Sequence, residues 1–179
     1  DYRGKEGELH MIAPRKVAFE AKKKFNENMA FRTYLKWNAD EEELDQQFQK
    51  LHRELFADYD CNRCRNCCKM YSASIPESDL QQDAEFLGLT KEQFIEKYLV
   101  KSEMGTGYVT KNVPCDFMEK DGICRLGDCR PESCKTFPYT DQPERLESLF
   151  SVLDVIEVCP VAFEIYERLK KEYGWRYRR

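Results

Sequence analysis

Histidine is scarce in this chain, with only His10 and His52 among 179 residues. Mixed cysteine–histidine zinc sites are therefore nearly excluded, and we expect His52 to be a half-buried packing residue on a helix rather than a ligand. Long apolar runs are also missing, since no stretch approaches the ~20 residues that a membrane helix needs. A net charge of −4 does not favour bulk attraction to nucleic acid or to an acidic membrane. The sequence therefore predicts neither a membrane protein nor a nucleic-acid-binding protein.

Cysteine, by contrast, is plentiful. The chain has nine cysteines, an odd number that excludes complete disulfide pairing within one chain, and all of them fall between Cys61 and Cys159. Clustered cysteines without a secretion signal more often bind metal or do redox chemistry. We therefore expect a cytoplasmic protein with a metal in an almost entirely thiolate shell.

Domain organisation is predicted to be simple. The His10–Met11 pair is typical of a cloning site, so residues 1–10 are expected to be a vector-derived leader. The remaining length, 11–179, suits a single domain with one sizeable core. The cysteine-cluster region is expected at about 58–162.

Hydrophobic periodicity and capping signals predict a mostly helical α+β fold. Helices are expected over 14–36, with Val17, Ala21, Phe25 and Met29 on a narrow apolar stripe, and over 40–58, with Asp40 as the cap. Further helices are expected from Pro76 to Gly88, from Thr90 onward with Thr90 and Gln93 as a capping box, in a short turn from Pro131, and from Pro160 to Gly174. A short β-hairpin is predicted over 115–126 because Asp121-Gly122 is a turn signal, and a single strand over 146–158. These elements describe helices that flank an irregular cysteine-rich metal-binding centre.

The most informative stretch is Cys61-Asn-Arg-Cys64-Arg-Asn-Cys67-Cys68. Thiolates three positions apart in a loop can point at one centre, and the Cys-x2-Cys-x2-Cys run is similar to the start of bacterial ferredoxin motifs. Zinc ribbons more often use two separated Cys-x2-Cys knuckles, so the spacing favours iron–sulfur over zinc without excluding zinc. The adjacent Cys67 and Cys68 are hard to place on one tetrahedral ion, since neighbouring side chains usually diverge. The pair could serve two nearby centres, or one of the two could be a packing residue.

Positive charge lies among these thiols. Arg63, Arg65 and Lys69 are expected to favour the thiolate form that binds metal. They would also offset the negative charge of an all-thiolate site.

Four segments in order resemble the CxxCxxCC cysteine-cluster family, the YkgJ-like zinc- or iron-chelating proteins. They are the Cys61–Cys68 run, Cys115-Asp-Phe-Met, Asp121-Gly-Ile-Cys124, and Arg130-Pro-Glu-Ser-Cys134-Lys-Thr-Phe-Pro138, followed by a late Cys159-Pro160. The resemblance covers roughly residues 58–162. Together with the spacing it implies eight metal ligands: Cys61, Cys64, Cys67, Cys68, Cys115, Cys124, Cys134 and Cys159. Cys129 departs from the family pattern and stays an additional candidate ligand.

The function predicted from these features is metal binding. The chain is expected to hold an iron–sulfur cluster, or alternatively zinc, in an all-cysteine site, as an electron-transfer or accessory module acting with a protein partner. The alternative is an enzyme that uses the cluster in catalysis. No acid–base set, nucleophile elbow or phosphate loop is recognisable in the sequence, so no catalytic residue is assigned.

Overall fold

The computed structural model describes residues 11–178, and the predicted leader lies outside these residues. The described residues are 55% helical with a small three-stranded antiparallel sheet, which confirms the mostly helical α+β class. The described residues form two compact units. The helical unit comprises residues 11–59 and 138–178, and the cysteine-rich unit comprises Asp60–Phe137. The single domain over 11–179 stays a prediction.

The helices of the described residues are short in the middle of the chain, where the strands also lie, and the longest helices are towards both ends. The helices are α1 (Pro14–Lys23), α2 (Phe25–Asn38), α3 (Glu41–Phe56), α4 (Cys61–Cys64), α5 (Asn66–Met70), α6 (Leu80–Phe86), α7 (Lys91–Tyr98), α8 (Glu132–Lys135), α9 (Leu149–Ile156) and α10 (Pro160–Glu172). The strands are β1 (Ser74–Ile75), β2 (Leu99–Lys101) and β3 (Tyr108–Thr110), and a 3-10 turn covers Gly127–Cys129. Every helix within residues 11–178 is too short or too polar to span a bilayer.

The helical unit is built around the apolar faces of its long helices. Asp40 caps α3 by accepting a hydrogen bond from the Glu43 amide at 2.9 Å, as the sequence predicts. The inward face of α3 carries Leu44 and Phe48, both fully buried. Helix α10 begins at Pro160 and presents a continuous buried face to this core. The unit therefore has a conventional helix-on-helix core.

Three local predictions are wrong in this structure. Residues 146–158 contain helix α9 and no strand, because residues at helical spacing, Leu149, Val152 and Ile156, are buried on one face. Their helical periodicity outweighs the β-preference of valine and isoleucine. Pro76 does not open a helix, since α6 begins only at Leu80. Phe25, expected on an apolar stripe, is exposed.

The cysteine-rich unit combines the small sheet with α6 and α7. The strand order is β1-β3-β2, with Ser74 opposite Val109 and Leu99 opposite Thr110. Thr90 and Gln93 form the predicted capping box at the start of α7. The core of the unit consists of Ile75, Leu80, Ala84, Phe94, Tyr98, Leu99, Phe117 and Leu126.

The predicted hairpin over 115–126 is reduced to one isolated bridge. Met118 pairs with Cys124 across the turn, outside the named strands. The hairpin that forms is β2–β3, around the Gly105–Gly107 region. The cysteine-bearing 115–124 segment is therefore shaped by a few specific contacts rather than by a strand ladder.

Candidate metal centre

The Cys61–Cys68 run folds as two short helical turns, α4 and α5, with Arg65 between them. Asp60 caps the first turn by accepting from the Asn62 amide at 2.9 Å. Arg65 has a φ of 56°, a left-handed conformation that non-glycine residues adopt infrequently. This reversal separates Cys61 and Cys64 on one turn from Cys67 and Cys68 on the next.

Cys67 and Cys68 converge, contrary to the expectation that neighbouring side chains diverge. Their Sγ atoms lie 4.0 Å apart and share a hydrogen bond. Two thiolates at ~2.3 Å from one tetrahedral ion would be about 3.8 Å apart, so the pair matches one edge of such a site. The shared hydrogen bond raises the pKa of Cys67 and lowers that of Cys68.

The 115–124 segment lies directly against this turn. The Cys115 amide donates to the Cys68 carbonyl at 2.7 Å, and burial raises the pKa of the Cys115 thiol to about 11. Burial also raises the pKa values of Cys124 and Cys134, and the charge of Cys68 contributes to each of these three shifts. A negative charge on Cys68 therefore disfavours the thiolate forms of Cys115, Cys124 and Cys134.

Arg130 is the shared cation of these thiols. It is half-buried, and its Nη2 donates to the Cys134 carbonyl at 2.7 Å. Its positive charge acts downward on the pKa values of five thiols: Cys61, Cys67, Cys68, Cys124 and Cys134. A guanidinium at this position favours the thiolate forms that ligate metal.

The other basic residues of the run differ in what they touch. Arg65 adds to the lowering of the Cys68 pKa. Arg63 pairs with Asp60 at 3.5 Å and is exposed, and Lys69 donates to the Cys64 carbonyl at 3.3 Å. Sequence reasoning named these three cations and gave no role to Arg130, whose only signal was its place in the Arg-Pro-x-x-Cys segment.

Cys129 and Cys159 have other neighbours. Cys129 is in the same unit, where its Sγ accepts from Gln82 Nε2 at 3.6 Å and it packs against the apolar core. Cys159 belongs to the helical unit and is buried at the N-cap of α10. The cysteine-rich unit thus holds every cysteine except Cys159, and the ligand assignments stay predictions.

Asp83 is a buried acid that sequence reasoning missed. It is 1% exposed, and its Oδ2 has no hydrogen-bond partner. Burial and the neighbouring Asp79 raise its pKa to about 6, and its own charge raises the pKa of Cys124. The available signal was its position three residues after Leu80, on the inward face of α6.

His52 lies in the helical unit. Its Nδ1 is 2.8 Å from the hydroxyl of Thr140, and its ring packs 4.5 Å from that of Phe56. Burial lowers its pKa. Its surroundings are those of a packing residue.

The donor set fits a soft metal better than a hard one. All nine cysteines are free thiols, and thiolates select zinc, copper(I) and iron–sulfur centres over magnesium or calcium. Within residues 11–178, no three Cys, His, Asp or Glu side chains converge tightly enough to form a complete metal cage. The Cys67–Cys68 pair alone would supply two of the four ligands that a tetrahedral zinc site needs.

Comparison with known families agrees with this donor set. The family model CxxCxxCC, described as a putative zinc- or iron-chelating domain, matches residues 60–160. No significant match was found among curated proteins or solved structures.

Proposed function

Because the chain belongs to the CxxCxxCC family of zinc- or iron-chelating domains, we propose that its cysteine-rich unit holds an iron–sulfur cluster in thiolates. The observation that carries this proposal is the family match over residues 60–160, together with the 2.7 Å bond from the Cys115 amide to the Cys68 carbonyl, which joins two cysteine-bearing segments. The proposed ligands in this unit are Cys61, Cys64, Cys67, Cys68, Cys115, Cys124 and Cys134. The Cys-x2-Cys-x2-Cys spacing supports a cluster, as in ferredoxin motifs.

Zinc is the second candidate, and one observation favours it. The 4.0 Å separation of the Cys67 and Cys68 sulfurs suits two ligands on the same ion. A four-iron cluster takes one cysteine per iron, whereas zinc or a two-iron cluster takes two or more thiolates per ion. If the metal is zinc, its main contribution is to stabilise the fold.

The role proposed for an iron–sulfur form is electron transfer or assistance to a partner protein in the cytoplasm. The proposal rests on the thiolate donor set and on the positive charge of Arg130 and Arg65 beside it, since charge near a cluster tunes its potential.

The test is anaerobic purification followed by three measurements: the visible spectrum, bound iron and zinc, and acid-labile sulfide. A brown protein with iron and sulfide in equal amounts supports the cluster. A colourless protein with stoichiometric zinc supports the zinc site. A folded, metal-free protein with all thiols reactive refutes both.

A pair of matched variants tests the ligand assignment. Cys68→Ser removes half of the proposed tetrahedral edge, so we expect its metal content to fall sharply. Cys129→Ser changes a thiol of the same unit that bonds to Gln82, and we expect its metal content to be unchanged. If Cys129→Ser loses metal and Cys68→Ser retains it, the assignment is wrong.

A further inference from the structure

We propose that Arg65 and Gly122 are positioning residues that lock the 115–124 segment against the Cys61–Cys68 turn. This lock fixes the position of Cys115 and Cys124 relative to the cysteines of the Cys61–Cys68 turn. Its consequence for metal affinity rests on the proposed function, whereas the lock itself is a property of the fold.

Arg65 supplies the polar half of the lock. Its guanidinium donates through Nη1 to the Glu119 carbonyl and through Nη2 to the Lys120 carbonyl, the latter at 2.8 Å. A forked donor of this kind fixes two acceptors in one geometry, which a lysine cannot reproduce. The left-handed φ of Arg65 is an unfavourable backbone conformation for arginine. Arg65 adopts it while its side chain bonds to the 115–124 segment.

Gly122 supplies the steric half. It has a φ of +97°, and a Cβ there would overlap the Asn62 carbonyl oxygen and lie 2.9 Å from its carbon and 3.0 Å from Arg65 Nε. The backbone of the 115–124 segment therefore approaches the Cys61–Cys64 turn as closely as its atoms allow. Only glycine fits this approach.

A third contact reports whether the lock is closed. The Cys115 amide donates to the Cys68 carbonyl at 2.7 Å across the same two segments. Opening the segments breaks this bond, so exchange of the Cys115 amide hydrogen measures the lock directly.

The first test is hydrogen exchange on the full chain as purified. Arg65→Asn removes the guanidinium but keeps a residue type that tolerates left-handed φ, and Gly122→Ala adds the overlapping Cβ. We expect the Cys115 amide to exchange at least ~10-fold faster in both variants. Arg65→Lys should fall between Arg65→Asn and the parent protein, since it keeps the charge and loses the fork.

Two controls isolate the lock from nonspecific effects. Arg63→Asn removes a neighbouring exposed arginine that pairs with Asp60 in the same turn. Gly88→Ala places a Cβ at another positive-φ glycine, where no atom lies within 4 Å. Both should leave exchange at Cys115 within about twofold of the parent.

The second test measures metal binding with Co²⁺ as a spectroscopic probe of thiolate sites. Outer contacts that orient ligands typically change metal affinity by about 10- to 100-fold, and we expect a loss of that size for Arg65→Asn and not for Arg63→Asn. Exchange and affinity equal to those of the controls would overturn the proposal, and faster exchange with unchanged Co²⁺ affinity would overturn the positioning role. Arg65→Lys behaving as the parent would overturn the forked geometry. A parent protein that binds no metal would refute the proposed function, while the exchange comparison would still decide the lock.

Discussion

A buried ammonium group in the helical unit offers a quantitative test of the structure. Lys170, on α10, is 5% exposed. Its Nζ donates to three acceptors, namely Glu27 Oε1 at 2.7 Å, Asn28 Oδ1 at 2.6 Å and Glu167 Oε1 at 2.6 Å. Lys170→Met keeps most of the side-chain volume and removes all three bonds. It therefore measures the contribution of the charged, hydrogen-bonded ammonium group apart from that of side-chain volume.

The expected loss of unfolding free energy depends on which partners each acceptor keeps after the substitution. Removing one partner of a buried ion pair costs about 3–5 kcal/mol. Lys24 still bonds Glu167 at 2.5 Å, and the partly exposed Glu27 can be hydrated, so both carboxylates are partly compensated. Asn28 is 3% exposed and loses an acceptor bond, which alone costs about 1–3 kcal/mol. We expect Lys170→Met to destabilise the unit by about 3 kcal/mol, the low end of the range for a buried pair.

Tryptophan fluorescence can report on this unit alone, because both tryptophans, Trp37 and Trp175, belong to it. The ring of Trp175 packs 5.0 Å from that of Phe31. With a urea m-value of about 2 kcal/mol/M, the midpoint should fall by about 1.5 M. Lys171→Met, at the exposed next position, should stay within about 0.5 kcal/mol of the parent. A loss below about 1 kcal/mol for Lys170→Met would refute the reasoning.

Two further predictions concern pH and helix capping. Burial alone would raise the pKa of Glu167, but hydrogen bonds from Lys170 and Lys24 lower it, so its contribution is present above its unfolded value of about 4.3 and is lost as pH falls through the folded value. Burial lowers the pKa of Lys24, but its hydrogen bond to Glu167 and the charges of Glu167, Glu27 and Glu20 together outweigh burial and raise the pKa. Its contribution is therefore present below its unfolded value of about 10.4 and is lost as pH rises through the folded value. Urea midpoints measured against pH should show both declines, and Glu167→Gln should remove the acid one; an unchanged acid limb would contradict the pairing. Thr90→Ala should cost about 1 kcal/mol by removing the cap of α7, measured by hydrogen exchange in that helix, with Thr106→Ala as the loop control.

Much of the fold could be predicted where one physical signal dominates. The cap at Asp40 and the capping box at Thr90 could be predicted because each combines a capping residue with helical periodicity. The helix from Pro160 could be predicted because a proline at its first position precedes the same periodicity. The strand prediction over 146–158 failed because β-branched residues also occupy helical positions when tertiary packing favours them.

The candidate site was only partly predictable. Cysteine spacing identifies the Cys61–Cys68 run, because ligands that are close in sequence must be a few residues apart to reach one metal centre. It does not identify Arg130 or Gly122 as contributors, because their effects arise from segments that are distant in sequence and meet only in the fold. The convergence of Cys67 and Cys68 was missed because it depends on the short turn α5, whose local dihedrals a spacing rule does not contain.

Element length gives a final prediction about metal removal. In the cysteine-rich unit, α4, α5 and α8 have four or five residues and the strands two or three, lengths that are not stable alone. Metal binding then contributes folding free energy, about 10–16 kcal/mol in zinc-finger peptides. Treatment with a chelator under anaerobic conditions should therefore deprotect the Cys115 and Arg125 amides, whose acceptors are the Cys68 and Phe117 carbonyls, while the tryptophan emission of the helical unit persists. Equal protection of both amides with and without bound metal would show that the apolar core of Asp60–Phe137 keeps this unit folded without metal.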